Sequence, residues 1–263
     1  GATWTLPSDA EITELVIEAL APVDPAVSFE PINLDISAHS LHPDDGRMYI
    51  AILDDVLVLD YANDPPIIDM IPFESDVVDM EIDVANNLIH FLTEEDGFFA
   101  ISLTDSSTQT VLPDASDAAF EELHQFAIAS TGDVYAANED ELVIWNGGAW
   151  VNVGDTSGAC LAMLEANGIL YISMDSAGVA RYDLASGQML STWSTANSLH
   201  SDEVHELMIS GNQLLMASAD AGLARYDWSS GFWLSTWDSG NWLASDDVSG
   251  LARSGSTLYI LNG

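Results

Sequence analysis

The sequence predicts an all-β fold, a β-propeller of about six four-stranded blades, with seven blades as the alternative. The first observation is that Gly-Val-Ala-Arg-Tyr-Asp at 178–183 returns as Gly-Leu-Ala-Arg-Tyr-Asp at 222–227, which is 44 residues later. The second is that Leu-Ser-Thr-Trp at 190–193 returns at 234–237, at the same offset. A fixed period of about 40–50 residues is typical of repeat proteins. A β-sandwich with a chance similarity is the competing interpretation.

Each period contains four short runs rich in β-branched and aromatic residues, separated by Gly, Asn and Ser. Weaker copies extend toward the N terminus and predict five complete blades and half of a sixth. The predicted first strands are 32–37, 77–84, 123–129, 160–165, 204–209 and 248–253. The second strands are 48–53, 88–93, 134–138, 169–174, 213–218 and 257–261. The third strands end at 60, 102, 146, 183 and 227, and the fourth strands are 67–72, 108–112, 150–153, 189–193 and 232–237.

Residues 1–31 allow two interpretations. The segment Leu-Pro-Ser-Asp at 6–9 resembles Leu-His-Ser-Asp at 199–202, which predicts a strand at 12–17 and a second short strand at 27–29. A helix is the alternative, because Ser8 and Glu11 have capping-box spacing and Pro22 would end it. Two N-terminal strands would complete the unfinished last blade and close the ring, which would protect its edge from aggregation.

The composition excludes some partners. The chain of 263 residues carries 43 acidic residues against four arginines and no lysine, for a formal net charge of −39. Such a surface disfavours nucleic acid and anionic membranes as partners, because both carry negative charge. Yet 48% of the residues are hydrophobic, so we expect one folded propeller domain over 1–263 and not a disordered acidic tail. An acid-rich surface without lysine suggests a halophilic-like protein that works in salt or outside the cell.

Other features place the chain in context. It has no apolar run long enough to span a membrane. It lacks an initiator Met and stops in mid-repeat, so we expect a piece of a longer protein. The single cysteine, Cys160, has apolar neighbours and is predicted to be a buried core residue.

The repeat resembles that of the two-component-regulator propeller family, with the best match over residues 160–263. The similarity is carried by Asn-Ser-Leu-His-Ser-Asp-Glu-Val at 197–204, by Gly211 and Leu214, and by Gly-Leu-Ala-Arg-Tyr-Asp at 222–227. The family usually has a second strand similar to Trp-Ile-Gly-Thr, whereas this chain has Leu-Tyr-Ile-Ser at 170–173. The resemblance implies a propeller fold and, less directly, a ligand-sensing role in a signalling receptor.

Acidic residues recur at equivalent places in the repeat and form the candidate site. They lie before first strands or between second and third strands, and these connections share one face of a propeller. The candidate residues for weak cation binding are Asp175, Asp202, Glu203, Asp220, Asp246 and Asp247. Clustered carboxylates should raise one another's pKa and attract Ca²⁺, Na⁺ or a basic partner. A generally acidic, solvated surface is the alternative, and no cofactor is expected.

The remaining polar motifs favour structural roles. His39 and His42 are more simply turn residues than metal ligands. Arg181 and Arg225 occupy equivalent positions, and we expect them to pair with acids such as Asp183 and Asp227. Trp193 and Trp237 are predicted to pack between blades, since no quinone site accompanies them.

The sequence therefore predicts a non-catalytic propeller of an extracellular or cell-surface protein, serving as a binding or structural module. Its ligand, a protein or a carbohydrate, is not specified. The alternatives are the sensing domain of a signalling receptor and a propeller lyase or hydrolase, for which no nucleophile motif is present.

Overall fold

The computed structural model describes residues 15–17, 32–34, 40–44, 47–52, 55–60, 67–73, 76–83, 86–93, 97–103, 108–112, 123, 125–146, 149–254 and 257–262. These residues form strands and turns, and no helix occurs among them. The chain divides into two compact units, one comprising 1–8 and 117–263 and the other 9–116. Within the described ranges, no helix is long and apolar enough to cross a membrane.

Among its described residues, the unit 9–116 contains one two-stranded sheet and two four-stranded antiparallel sheets. The two-stranded sheet pairs β1 (Leu15–Ile17) with β2 (Ile32–Leu34). Sheet one is β3 (Ser40–Asp44), β4 (Arg47–Ile52), β5 (Asp55–Asp60) and β6 (Ile67–Pro72). Sheet two is β7 (Val77–Asp83), β8 (Leu88–Thr93), β9 (Phe98–Ser102) and β10 (Thr108–Leu112). β7 packs against β3 and β4, and Tyr49, Met80, Ile89 and Phe91 fill the core between the two sheets.

The unit of 1–8 and 117–263 contains three four-stranded sheets and a final hairpin among its described residues. Sheet three is β11 (Gln125–Ile128), β12 (Val134–Ala137), β13 (Glu141–Trp145) and β14 (Trp150–Asp155). Sheet four is β15 (Cys160–Ala166), β16 (Ile169–Met174), β17 (Gly178–Asp183) and β18 (Gln188–Met189). Sheet five is β19 (Val204–Ser210), β20 (Gln213–Ser218), β21 (Gly222–Asp227) and β22 (Phe232–Trp233). The hairpin pairs β23 (Val248–Ser254) with β24 (Thr257–Asn262).

The sheets of this second unit follow one another in the manner of propeller blades. Each is an up-and-down meander in chain order. The first strands β11, β15, β19 and β23 contact one another in succession. Apolar cores fill the space between neighbouring sheets, with Leu170 and Ile172 in one and Leu214 and Met216 in the next. Cys160 is buried in the first of these cores, as its neighbours predicted.

Most predicted strands are confirmed, several with the same ends, but the first strand of sheet one is wrong. The sheet begins at Ser40–Asp44, whereas Ile32–Leu34 pairs with Leu15–Ile17 outside it. β3 contains Pro43, and a proline within a run of residues argues against a strand when only the sequence is known. The proline is tolerated here because β3 is an edge strand of its sheet. Asp44 pairs with Arg47 at the end of this hairpin.

The N-terminal predictions have mixed outcomes. Residues 15–17 form a strand, as preferred over the helix, while the strand predicted at 27–29 lies outside the described residues. Closure of the ring and the number of blades stay predictions.

The fourth strands of sheets four and five are shorter than predicted. Leu190 N donates to Arg181 O, whereas Trp193 pairs with Val179, so one extra residue is accommodated between these two contacts. This β-bulge ends the regular ladder. The same irregularity recurs in sheet five, where the isolated bridge joins Leu223 to Trp237.

Candidate functional site

The unit of 1–8 and 117–263 has two distinct ends, set by the meander topology. At one end lie the connections between second and third strands and those that lead to the next sheet, residues 138–140, 156–159, 175–177, 194–203, 219–221 and 238–247. We call this end the loop face, and the opposite end, with its tight turns, the turn face. Gly178 N donates to Asp202 O at 2.8 Å, and Gly222 N donates to Asp246 O at 2.7 Å. These bonds link the start of a third strand to the connection that leads to the next sheet. The acids predicted for one face therefore lie at the same end of the sheets.

The first long loop, residues 194–203, is held by its own backbone. Ser194 O accepts hydrogen bonds from the N–H groups of Asn197, Ser198 and Leu199. Asn197 Oδ1 accepts from Ser194 N, and Asn197 Nδ2 donates to Thr192 O at 2.9 Å. This network explains why an asparagine stands at this position of the repeat.

Asp202 closes the same loop. Its carboxylate accepts from Thr195 N and from Thr195 Oγ1, both at 2.6 Å. Ser201 Oγ accepts from Glu203 N, which fixes the entry into β19. Asp202 therefore has a structural role that the sequence analysis did not foresee.

The second long loop, residues 238–247, repeats this construction 44 residues later. Asp238 O accepts from the N–H groups of Asn241, Trp242 and Leu243. Asp246 accepts from Ser239 N at 2.6 Å, and this hydrogen bond holds the pKa of the Asp246 carboxyl below its ordinary value. The expectation that neighbouring carboxylates raise one another's pKa is therefore wrong for Asp246.

The other candidate acids are less constrained. Glu203 Oε1 lies 3.7 Å from His205 Nε2, and Asp175 accepts from Ser176 Oγ at 3.0 Å. Among the described residues, no group of three or more His, Cys, Asp or Glu side chains converges as a metal site. Weak cation binding on this face thus stays a prediction, and it rests on negative charge and not on a formed coordination sphere. The residues concerned are Asp175, Asp202, Glu203, Asp220, Asp246 and Asp247. His39 lies outside the described residues.

The two repeated arginines stack on tryptophans, and the predicted pairing with acids is wrong. The Arg181 guanidinium lies 4.4 Å from the Trp193 ring centroid, and the Arg225 guanidinium lies 4.2 Å from that of Trp237. Arg181 Nε and Nη2 donate to Ser191 O, the carbonyl at the bulge, so this side chain stabilises the irregular fourth strand. Asp183 instead accepts from Ala185 N and Ser186 N in a turn.

Trp193 packs between sheets, as predicted. It is 7% exposed, and its ring contacts Tyr171 of sheet four and Tyr226 and Trp233 of sheet five. Trp228 Nε1 donates to the Tyr171 hydroxyl at 3.1 Å and extends this aromatic cluster.

Two residues that break the repeat were missed by the sequence analysis. Glu206 on β19 stands opposite Ala217, which is buried in the apolar core of sheet five, and burial raises the pKa of Glu206 to about 7. The equivalent residue of sheet four is Ala162. Trp242 is 78% exposed at the tip of the second long loop, where the first loop has Ser198. Comparison of the two copies residue by residue would have found both.

The turn face carries a surface groove of about 530 Å³. It is lined by Glu165, Ala166, Asn167, Ile209, Gly211, Asn212, Trp228 and Ser229. Its main polar groups are already engaged, since Glu165 accepts from Ser130 N and Gly168 N and Trp228 donates to Tyr171.

Comparison with known proteins gives similarity in structure only. No protein-family model and no curated protein matches the chain. The crystal structure of the computationally designed Ika8 protein is similar at a TM-score of 0.61 and 14% identity, covering 88% of this chain and 72% of that one.

Two extracellular domains from B. thetaiotaomicron, both from proteins described as hybrid two component systems, are also similar. The BT4673 domain has a TM-score of 0.63 and 15% identity, covering 83% of this chain and 30% of that one. The BT3049 domain has a TM-score of 0.64 and 13% identity, covering 91% of this chain and 34% of that one. The chain thus spans about a third of the length of these domains. At such identities the likeness concerns the fold.

Proposed function

We propose that this chain is a non-catalytic β-propeller of an extracellular or cell-surface protein, and that it binds its ligand through the loop face. The observation that carries the proposal is the difference between two loops of the same construction. The loops at 194–203 and 238–247 share their hydrogen bonds but present Ser198 and Trp242 at equivalent tip positions. A rigid scaffold that presents different side chains at its loop tips is a common arrangement for recognition.

The state of the acids supports recognition over catalysis. Asp202 and Asp246 accept short hydrogen bonds from their own loops, so their carboxylates are occupied in maintaining loop shape. Catalytic acid–base pairs need carboxyl groups directed at a substrate. The extracellular location is supported by the similarity to the BT4673 and BT3049 extracellular domains.

A second candidate function is the ligand-sensing domain of a signalling receptor. It is favoured by the same two structures, whose parent proteins are described as two component systems. The full-length gene discriminates between the candidates, because a receptor would continue into a membrane-spanning helix and a signalling domain.

The test of loop-face binding compares two variants in a thermal-shift screen of Ca²⁺, basic peptides and soluble polysaccharides. The loop-face variant combines Asp175→Asn, Glu203→Gln, Asp220→Asn and Asp247→Asn, and retains the loop-closing Asp202 and Asp246. The control is Asp133→Asn on the turn face. We expect a compound that stabilises the wild type to lose its effect on the loop-face variant only. Equal stabilisation of all three proteins would show that the ligand binds elsewhere.

A further inference from the structure

Trp242 is an exposed aromatic side chain on a rigid loop. The residue is 78% exposed, while its backbone N–H donates to Asp238 O at 3.0 Å. Asn241 Nδ2, next to it, donates to Thr236 O and ties the loop back to sheet five. The sheet-four loop, with the same backbone contacts, has Ser198 here, so loop geometry does not require the indole. An indole held in water by a preformed backbone is typical of an interface anchor.

Two tryptophans of this chain carry a cation on the ring. Trp193 and Trp237 each carry an arginine guanidinium over the ring, at 4.4 and 4.2 Å from the centroid. The chain has only four arginines and no lysine, and two of the arginines are used in these stacks. The open face of Trp242 can therefore receive an equivalent cation from a partner molecule.

The charge around Trp242 favours a cation. Asp238, Asp246 and Asp247 belong to the same short loop and give it negative charge. One oxygen of Asp238 and one of Asp246 accept hydrogen bonds from the loop itself, and the bond from Ser239 holds the pKa of Asp246 below its ordinary value. A guanidinium is planar, stacks on an indole and donates to carboxylates through several N–H groups at once. An ammonium group has no planar face, and Ca²⁺ prefers a shell of oxygen ligands.

We propose that Trp242, with the negative charge of its loop, is the docking point for an arginine side chain of a partner protein or peptide. This inference rests on the proposed function of the loop face and names the chemistry of the partner.

The test measures binding of the peptide Gly-Arg-Gly-Arg-Gly by calorimetry at physiological salt. Trp242→Ser and Phe232→Gln each replace an exposed aromatic residue by its counterpart in sheet four. Phe232 is 70% exposed and follows a tight turn of the turn face, so it is the matched control. We expect Trp242→Ser to weaken binding by about 5-fold or more and Phe232→Gln to change it by less than about 2-fold. The lysine analogue of the peptide should bind the wild type more weakly.

Some binding results would contradict this inference. If Trp242→Ser and Phe232→Gln weaken binding equally, or if the arginine and lysine peptides bind alike, the contact is only general attraction to an acidic surface. Trp242→Phe keeps an aromatic face and should retain part of the affinity for the arginine peptide. The melting temperature of each variant shows whether a loss of binding reflects a folding defect. If the loop-face variant loses the peptide while Trp242→Ser keeps it, the inference is wrong and the proposed function stands. If a ligand binds all variants equally, the proposed function itself fails.

Discussion

Sheets four and five are near copies, and their comparison separates structure from function. Gly178 and Gly222 have φ values of +80° and +76° and donate to the equivalent carbonyls of Asp202 and Asp246. The Arg–Trp stacks, the bulged fourth strands and the loop asparagines recur as well. What the copies share is what the backbone needs in order to turn, bulge and join the next sheet.

Two differences between the copies lie at positions where the backbone requires no particular side chain. Ala162 is replaced by Glu206 on the first strand, and Ser198 by Trp242 at the loop tip. Neither replacement changes the strand pairing or the loop hydrogen bonds. Residues copied by a repeat are therefore poor candidates for specificity, and the departures are the better ones.

The largest expected effect comes from adding one methyl group to a shared residue. A Cβ at Gly178 or Gly222 would collide with the carbonyl oxygen of Trp193 or Trp237, and both glycines have positive φ. We expect Gly178→Ala and Gly222→Ala each to lower the free energy of unfolding by about 4 kcal/mol, through strain and the displaced bulge. Urea unfolding followed by circular dichroism measures this.

The control for this experiment is Gly211→Ala in the tight turn of sheet five. Gly211 also has a positive φ, +62°, but a Cβ there meets nothing within 4 Å. Its cost should be limited to backbone strain, about 1 kcal/mol. If Gly211→Ala proved as costly as Gly222→Ala, the close approach to the fourth strand would not be what the copies conserve.

Sequence patterns predicted the buried second strands well because each is an apolar run enclosed on both faces, as the burial of 214–218 shows. They failed where a side chain's partner depends on loop shape. Asp202 finds its partner Thr195 seven residues earlier, and only the folded loop brings the two together. Arg181 was assigned an acidic partner because charge is visible in sequence, whereas the bulge that frees Ser191 O is not.

The second prediction concerns Glu206, which distinguishes sheet five from sheet four. Its pKa in the folded protein is about 7 against an ordinary value of 4.5, because burial disfavours the charged form. The folded state therefore keeps a proton that the unfolded state loses, so the free energy of unfolding falls as pH rises from about 4.5 and levels off above about 7. The full loss is about 3 kcal/mol. Urea unfolding of wild type and Glu206→Gln between pH 4.5 and 8 measures it.

The quantity to compare is the difference in free energy of unfolding between the wild type and Glu206→Gln, because many other acids titrate in both proteins. Glu206→Gln should become more stable than the wild type as the pH rises, and Glu203→Gln, an exposed neighbour, controls for the loss of one charge. A stability difference that stays constant with pH would mean that Glu206 is solvated and does not face the core of sheet five.

The smallest expected effect concerns what both loops share, their negative charge. With a formal net charge of −39, repulsion between carboxylates should destabilise the fold at low salt. The melting temperature should then rise as NaCl increases past 0.15 M, where exposed charges are already screened beyond about 8 Å, up to molar concentration. The loop-face variant, which removes four of these charges, should show a shallower rise, with each charge contributing a few tenths of a kcal/mol at most.

Asp202 and Asp246 should not be changed in this experiment, because their loss would open the loops and confuse structure with charge. A melting temperature that is flat with salt in both proteins would show that the acids are spaced widely enough to be tolerated, and the halophilic-like interpretation of the composition would then be withdrawn.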